Sequence, residues 1–269
     1  MDHMIETSHG PIAVTESTGP GPAVLFIHGN SSCKEVFVDQ LDSDLGRQYH
    51  CVAMDLPGHG QSADATNPDA TYTMTGYADA ALQVMQAIQP GPFAVVGWSL
   101  GGHIGLEMLA HSSNVAGLVI SGTPPIGQDP QDMALGFLPN PHMTSTGQEH
   151  LSEAEANAYA HTTCGERRYE AFLGEAVRRT DGRARRIMME AAMSGAGVNQ
   201  KHMAQSTQVP LAIINGAEEA LVNNDYVASL EYASLWLGQV QLIDEAGHAP
   251  FWDQPARFNN LLEGFLGSL

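Results

Sequence analysis

The chain of 269 residues carries 11 basic against 30 acidic side chains, a formal net charge of −19 at pH 7. A field of that sign repels phosphate backbones and anionic lipid, which argues against nucleic acid and membrane surfaces as partners and favours a neutral or cationic small molecule. With 43% hydrophobic residues, 15% charged residues and no low-complexity tract or internal repeat, the composition suits a folded chain whose core needs no disulfide staples.

Apolar, β-branched runs alternate with longer helical patterns, the signature of a mostly parallel sheet with helices on both faces. Strands are predicted at 12–16, 23–27, 51–54, 93–96, 118–120, 211–214 and 240–243. Helices are predicted at 74–88, where Tyr77, Ala81, Leu82, Met85 and Ile88 recur at helical spacing, and at 100–110, 225–237 and 255–266. Between 123 and 207 no strand pattern appears. Helix signals recur there instead: Ser152-Glu153-Ala154-Glu155 has the form of a capping box, and 166–179 and 181–193 read as helices. The expected organisation is a core of 1–122 and 208–269 with a helical lid, 123–207, inserted after the sixth strand and covering the carboxyl ends of the strands.

Seven of the eleven basic residues fall between Arg167 and Arg186, and are expected to form a solvated helical face paired with nearby acids. Cys33, Cys51 and Cys164 are an odd set without C-x-x-C spacing, which suits a reducing compartment. Residues 1–11 are polar and no apolar run approaches membrane-spanning length, so the expected location is the cytoplasm.

The chemistry concentrates in four loops. Gly97-Trp98-Ser99-Leu100-Gly101 joins a predicted strand to a predicted helix. Small residues there permit a strained turn that projects the Ser99 hydroxyl from the sheet edge. A serine hydroxyl is a weak nucleophile and needs a base oriented by a third group. Among twelve histidines, His248 in Ala246-Gly247-His248-Ala249-Pro250 follows the last predicted strand and so reaches the same edge, whereas His103 lies four residues beyond Ser99 on its own helix and reads as a packing imidazole. The orienting acid should follow 211–214, where Glu218 and Glu219 both qualify and Asp225 is a distant third. His28-Gly29-Asn30-Ser31-Ser32 follows the strand at 23–27, so the Asn30 N–H, with that of Leu100, is expected to stabilise an oxyanion. Asp55-Leu56-Pro57-Gly58-His59-Gly60-Gln61-Ser62 reads as a structural turn. The sequence has no H-x-H-x-D-H run, H-E-x-x-H motif or Cys/His cluster, nor a nucleotide-binding Gly loop, so neither a metal nor another cofactor is expected.

On HGNSS, DLPGHGQS, GWSLGG, the GxxE at Gly216 to Glu219 and AGHAPF, the chain resembles the α/β-hydrolase superfamily over nearly its full length. The resemblance implies Ser99, Glu219 and His248 as nucleophile, acid and base, in the chain order of that superfamily, with Glu219 where Asp is usual and Asp253 where Glu often stands. More narrowly, HGNSS, GWSLGGHIGLEM, SGTPP, TCGE and RTDGRARRIM resemble the α/β-hydrolase type of N-acyl-homoserine lactone hydrolase. That resemblance implies a metal-independent serine hydrolase opening the lactone ring of a neutral quorum-sensing signal, with Asn30, Trp98 and Tyr159 touching the substrate. Met133, Met143, Met188, Met189, Met193 and Met203 are available to line an acyl slot. The competing readings are a general carboxylesterase or lactonase and a slow-turnover small-ligand receptor of the same fold. Oligomeric state is not legible.

Overall fold

The computed structural model describes residues 1–141 and 143–269, without the side chains of residues 130 and 143. Among the described residues eight strands form one sheet in the order β1-β2-β4-β3-β5-β6-β7-β8. In chain order these are β1 (Asp2–Thr7), β2 (Gly10–Glu16), β3 (Ala23–Ile27), β4 (His50–Met54), β5 (Phe93–Trp98), β6 (Val115–Ser121), β7 (Leu211–Gly216) and β8 (Gln241–Ile243). β1 and β2 pair antiparallel at one edge, and every pairing from β4 to β8 is parallel. β3, β5 and β7 are buried along their whole length, as the apolar runs Ala23–Ile27, Phe93–Trp98 and 211–214 require of strands covered on both faces.

Two apolar clusters sandwich the sheet. One gathers Leu25, Ile27 and Val95 with Tyr77, Ala81 and Met85 of the helix Met74–Ile88. The other gathers Phe26, Val96 and Trp98 with Phe251, Phe258 and Leu262 beneath the helix Pro255–Leu266. Between β6 and β7 the chain runs through the helices Pro130–Gly136, Glu153–Ala160, Ala171–Arg179, Gly182–Met193 and Gln200–Ser206. The capping box at Ser152 is formed on both sides, Ser152 Oγ accepting from the Glu155 N–H and the Glu155 carboxylate accepting from the Ser152 N–H. No described helix is long and apolar enough to cross a membrane.

Three local expectations need correction. Residues 2–7, within the polar start where no strand is predicted, form β1; its exposure alternates along an edge strand, so no apolar run announces it. The helix expected at 166–179 starts only at Ala171, because Glu170 is extended (φ −123°, ψ 146°) after the π-helical turn His161–Gly165. The helix expected at 225–237 is only Asn224–Ser229. Beyond it the Leu211 N–H donates to the Ser234 carbonyl at 2.9 Å and Leu235 bridges Leu211, so β7 takes this stretch as a short pairing partner.

The DLPGHGQS turn is a buried polar knot. Asp55 Oδ1 accepts from the Lys34 N–H at 2.7 Å and Oδ2 from the Gln61 N–H at 2.8 Å. His28 lies beside it, its Nδ1–H donating to the Gly29 carbonyl at 2.7 Å while Nε2 accepts from the Leu56 N–H at 3.0 Å. His59 donates from Nδ1 to the Pro57 carbonyl at 3.0 Å. Both rings are fully buried and lie tilted to each other with centroids 5.3 Å apart, and burial pulls their pKa values down to about 4 for His28 and about 3 for His59. A histidine depressed in the folded state binds its proton more readily when unfolded. Its stabilising contribution is complete above the ordinary pKa near 6.5 and is lost as the pH falls toward the depressed value. Asp55, raised by burial to about 6, takes up one proton on folding over the same range and offsets part of this. These three groups together are expected to lower folding stability by about 1 kcal/mol per pH unit as the pH falls from 6 to 5, and His103, likewise buried and depressed to about 4, steepens the fall. Urea denaturation at a series of pH values checks it; a flat or rising profile contradicts neutral buried histidines.

Candidate active site

Parallel pairing delivers the carboxyl ends of β3, β5, β7 and β8 to one edge, and the four candidate loops leave from those ends. Ser99 sits between β5 and the helix Leu100–His111 at φ 52°, ψ −116°, a conformation costing roughly 1–3 kcal/mol for a residue with a Cβ. The surroundings hold it there. Its N–H donates to the Ser121 carbonyl at 2.8 Å, and its carbonyl accepts from the Gly102 N–H at 2.9 Å and the Thr123 hydroxyl at 2.8 Å. A Cβ on Gly97 would stand 2.3 Å from the Gly101 carbonyl oxygen, and one on Gly101 2.0 Å from that of Ile27, so the turn closes this tightly only with glycine at both places.

His248 Nδ1–H is shared between both carboxylate oxygens of Glu219, at 3.0 and 2.9 Å. Of the three acids the sequence left open, Glu219 alone meets the ring: Glu218 is exposed and pairs with Arg167, and Asp225 is exposed in the first turn of its helix. Burial pushes the Glu219 carboxyl up, but the His248 charge and hydrogen bond, with the Leu221 and Val222 N–H groups, outweigh it and hold the carboxyl below its ordinary range. The additional methylene of Glu is accommodated with two-oxygen contact retained. Asp253, in its unusual place, accepts from the Gly247 N–H at 2.8 Å and so ties down the loop that presents His248.

Asn30, Ser99, Leu100, Tyr159 and His248 all line one cavity of about 230 Å³. No backbone partner for the Asn30 or Leu100 N–H is found among the described residues. Tyr159 is raised by burial, partly countered by hydrogen bonds with Thr146 and Asn30. Trp98, expected against the substrate, lies instead beneath the histidine. It is 1% exposed, outside the cavity wall, and its indole N–H donates to the His248 carbonyl at 2.9 Å. Met133, Met188, Met189 and Met193 line the cavity, Met203 does not, and the side chain of Met143 lies outside the described ones. His103 also reaches the wall, its Nδ1 hydrogen-bonded to Gln200 Oε1 at 2.6 Å. Cys33 is buried and its thiol is pushed up, first by burial and then by Glu35, which disfavours the thiolate.

Two contributors escaped the sequence reading. Gly122, at φ 58° after β6, leaves its Cβ space to the imidazole: a Cβ there would stand 2.8 Å from His248 Cε1 and 2.9 Å from Nδ1. Asn215 Oδ1 accepts from the Gly122 N–H at 3.0 Å and fixes that turn. The Ser-Gly-Thr run at 121–123 follows a strand beside the nucleophile strand, but only the structure brings His248 against it.

Residues 24–261 match the model of the alpha/beta hydrolase family. The chain belongs to that family. It is similar over 99% of its length, at 47% identity and a TM-score of 0.96, to the N-acyl homoserine lactonase AidH solved with N-butanoyl homoserine, of which it covers 96%. The pimeloyl-[acyl-carrier protein] methyl ester esterase of Aromatoleum aromaticum is 30% identical over 77% of this chain and 84% of its own. Esterase RhEst1 from Rhodococcus sp. ECU1013 shares the fold, at 21% identity and a TM-score of 0.77 over 100% of this chain and 98% of its own. By its family the chain is thus a hydrolase.

Gly122→Ala is expected to fold and to lose about tenfold or more in kcat, because the added Cβ displaces the imidazole from the position Glu219 holds it in. Steady-state kinetics alongside a thermal midpoint checks this; an unchanged kcat would show that the ring has room the structure denies it.

Proposed function

We propose that the protein opens the lactone ring of N-acyl-homoserine lactones by acyl transfer through Ser99. The observation that carries the substrate is the 47% identity, over 99% of this chain, to an N-acyl homoserine lactonase. Ser99 Oγ attacks the lactone carbonyl carbon while His248 takes its proton. Glu219 holds the imidazole in the tautomer with its proton on Nδ1 and stabilises the imidazolium that forms. The Asn30 and Leu100 N–H groups receive the oxyanion, each worth about 3 kcal/mol. As the tetrahedral adduct collapses, the ring C–O bond breaks and His248 returns the proton to the departing alkoxide, which becomes the homoserine hydroxyl. Water then attacks the acyl-enzyme, again deprotonated by His248, and Ser99 leaves with its proton, releasing N-acyl-homoserine.

The cavity suits such a substrate: five methionines, Met74 with Met133, Met188, Met189 and Met193, offer an adaptable apolar wall for an acyl chain, and Asn30 and Tyr159 supply polar contacts near the reacting end. In this reading residues 123–207 form a lid on a core of 1–122 and 208–269, since Met133, Met188, Met189 and Met193 all come from that segment. The chemistry needs no metal or other cofactor, and the chain works in the cytoplasm, where neutral lactones reach it by diffusion. A second reading, hydrolysis of other small carboxylic esters, is favoured by the likeness to a methyl ester esterase.

The test is pH-stat titration of EDTA-treated protein with a medium-chain N-acyl-homoserine lactone beside a p-nitrophenyl ester. Rapid acid release from the lactone, reduced about a thousandfold or more in Ser99→Ala, is the expected outcome. Ester turnover with an inert lactone would replace this substrate by the second reading, and a Ser99→Ala variant of normal rate would remove the mechanism.

A further inference from the structure

The arginines between Arg167 and Arg186 do not all behave as a solvated face. Arg179, Arg183 and Arg186 pair with Asp64, Asp181 and Glu149 at partly exposed positions. Arg185 is 4% exposed and meets no carboxylate among the described residues. Its guanidinium spreads over three separate pieces of chain instead. Nε donates to the Gln148 carbonyl at 2.7 Å and Nη2 to that of Glu149 at 3.1 Å. Nη1 donates to the Val177 carbonyl and to the Ser31 hydroxyl, both at 3.2 Å. Burying a cation against dipoles alone is costly, so this contact has to be explained by what it holds.

What it holds is the loop after β3. Ser31 is itself at φ 57°, and its hydroxyl donates to Asn30 Oδ1 at 3.2 Å. Asn30 Nδ2 in turn donates to the Thr146 carbonyl at 2.9 Å, two residues from Gln148. The loop is therefore gripped twice by the stretch between β6 and β7, once at Ser31 and once at Asn30. Arg185 lies on the helix Gly182–Met193, whose Met188, Met189 and Met193 line the cavity, so one helix both walls the cavity and steadies the loop.

We propose that Arg185 is a positioning residue for the oxyanion-binding N–H of Asn30, acting through the Ser31 hydroxyl. The proposal rests on the acyl-transfer reading above, though not on which ester is the substrate. Arg185 touches no reacting atom. Its effect falls on kcat, because a correctly placed donor binds the oxyanion more strongly than the ground-state carbonyl.

The experiment compares wild type, Ser31→Ala, Arg185→Met and the double variant on a p-nitrophenyl ester and on the lactone. Affinity for an alkyl boronic acid, which mimics the tetrahedral adduct, is measured beside them. Each single variant is expected to lose about 10- to 100-fold in kcat and in boronic acid affinity, with KM within about twofold of wild type. The double variant should be no worse than the poorer single, since both break one relay. Wild-type kcat in Ser31→Ala, losses that multiply in the double variant, or a loss confined to KM would each overturn the proposal. If Arg185→Met does not fold, Ser31→Ala and its boronic acid affinity decide alone. A Ser99→Ala control of normal rate would instead bring down the acyl-transfer reading, and this proposal with it; normal Ser31→Ala kinetics with an inactive Ser99→Ala would bring down only the proposal.

Discussion

Parallel pairing from β4 through β8 is the constraint on which the rest depends. In a parallel sheet every strand leaves at the same edge, so loops separated by long stretches of sequence become neighbours with no contact of their own to gather them. Ser99, Asn30, Glu219 and His248 each stand within a few residues of such an end. The register carries this down to single residues: Gly97 lies opposite both Ile27 and Ile120, and Gly216 opposite Ile243. A slip of one position in any of these pairs would turn the following loop to the other face.

The site spends stability that the core supplies. Ser99 and Ser31 both hold positive φ without being glycine, and Glu219 and Arg185 are ionisable groups taken almost wholly out of water. Each is surrounded by several fixed partners: Ser99 by Ser121, Gly102 and Thr123; Glu219 by His248 and the Leu221 and Val222 N–H groups; Arg185 by four acceptors. Multiple partners are what keep a strained or desolvated group in one geometry, and preorganised geometry is what an acyl-transfer site requires.

Much of this was legible because the elements concerned are strongly periodic or strongly punctuated. The strand Ala23–Ile27 and the helices Met74–Ile88 and Pro255–Leu266 coincide with their expected bounds, since each is a clean apolar run or a clean helical stripe between turn residues. The edge strand Asp2–Thr7 was not legible: its residues alternate between exposed and half-buried, and pairing with β2 rather than burial makes it a strand. The stretch after Ser229 falls inside the helix expected at 225–237, but a backbone contact to β7, remote in sequence, claims it. Ser99 and His248 stood out through their motifs. Choosing between Glu218 and Glu219 needed either resemblance or coordinates, because adjacent acids in a loop carry no periodicity.

What the sequence determined by itself is therefore the order of elements, the strained glycine-flanked turn at Ser99, the histidine loop after the last strand and the α/β-hydrolase class. These are local patterns, set by burial period and by backbone conformations that only certain residues adopt. Only the tertiary structure decided that Glu219 meets His248 with both oxygens while Glu218 pairs with Arg167 outside, that Gly122 yields its Cβ space to His248, that Trp98 supports the histidine from below, and that Arg185 is buried against Ser31 rather than solvated. The reason is physical: each of these depends on which groups from distant parts of the chain arrive at the same few ångströms, and no spacing along one stretch of sequence encodes that arrival.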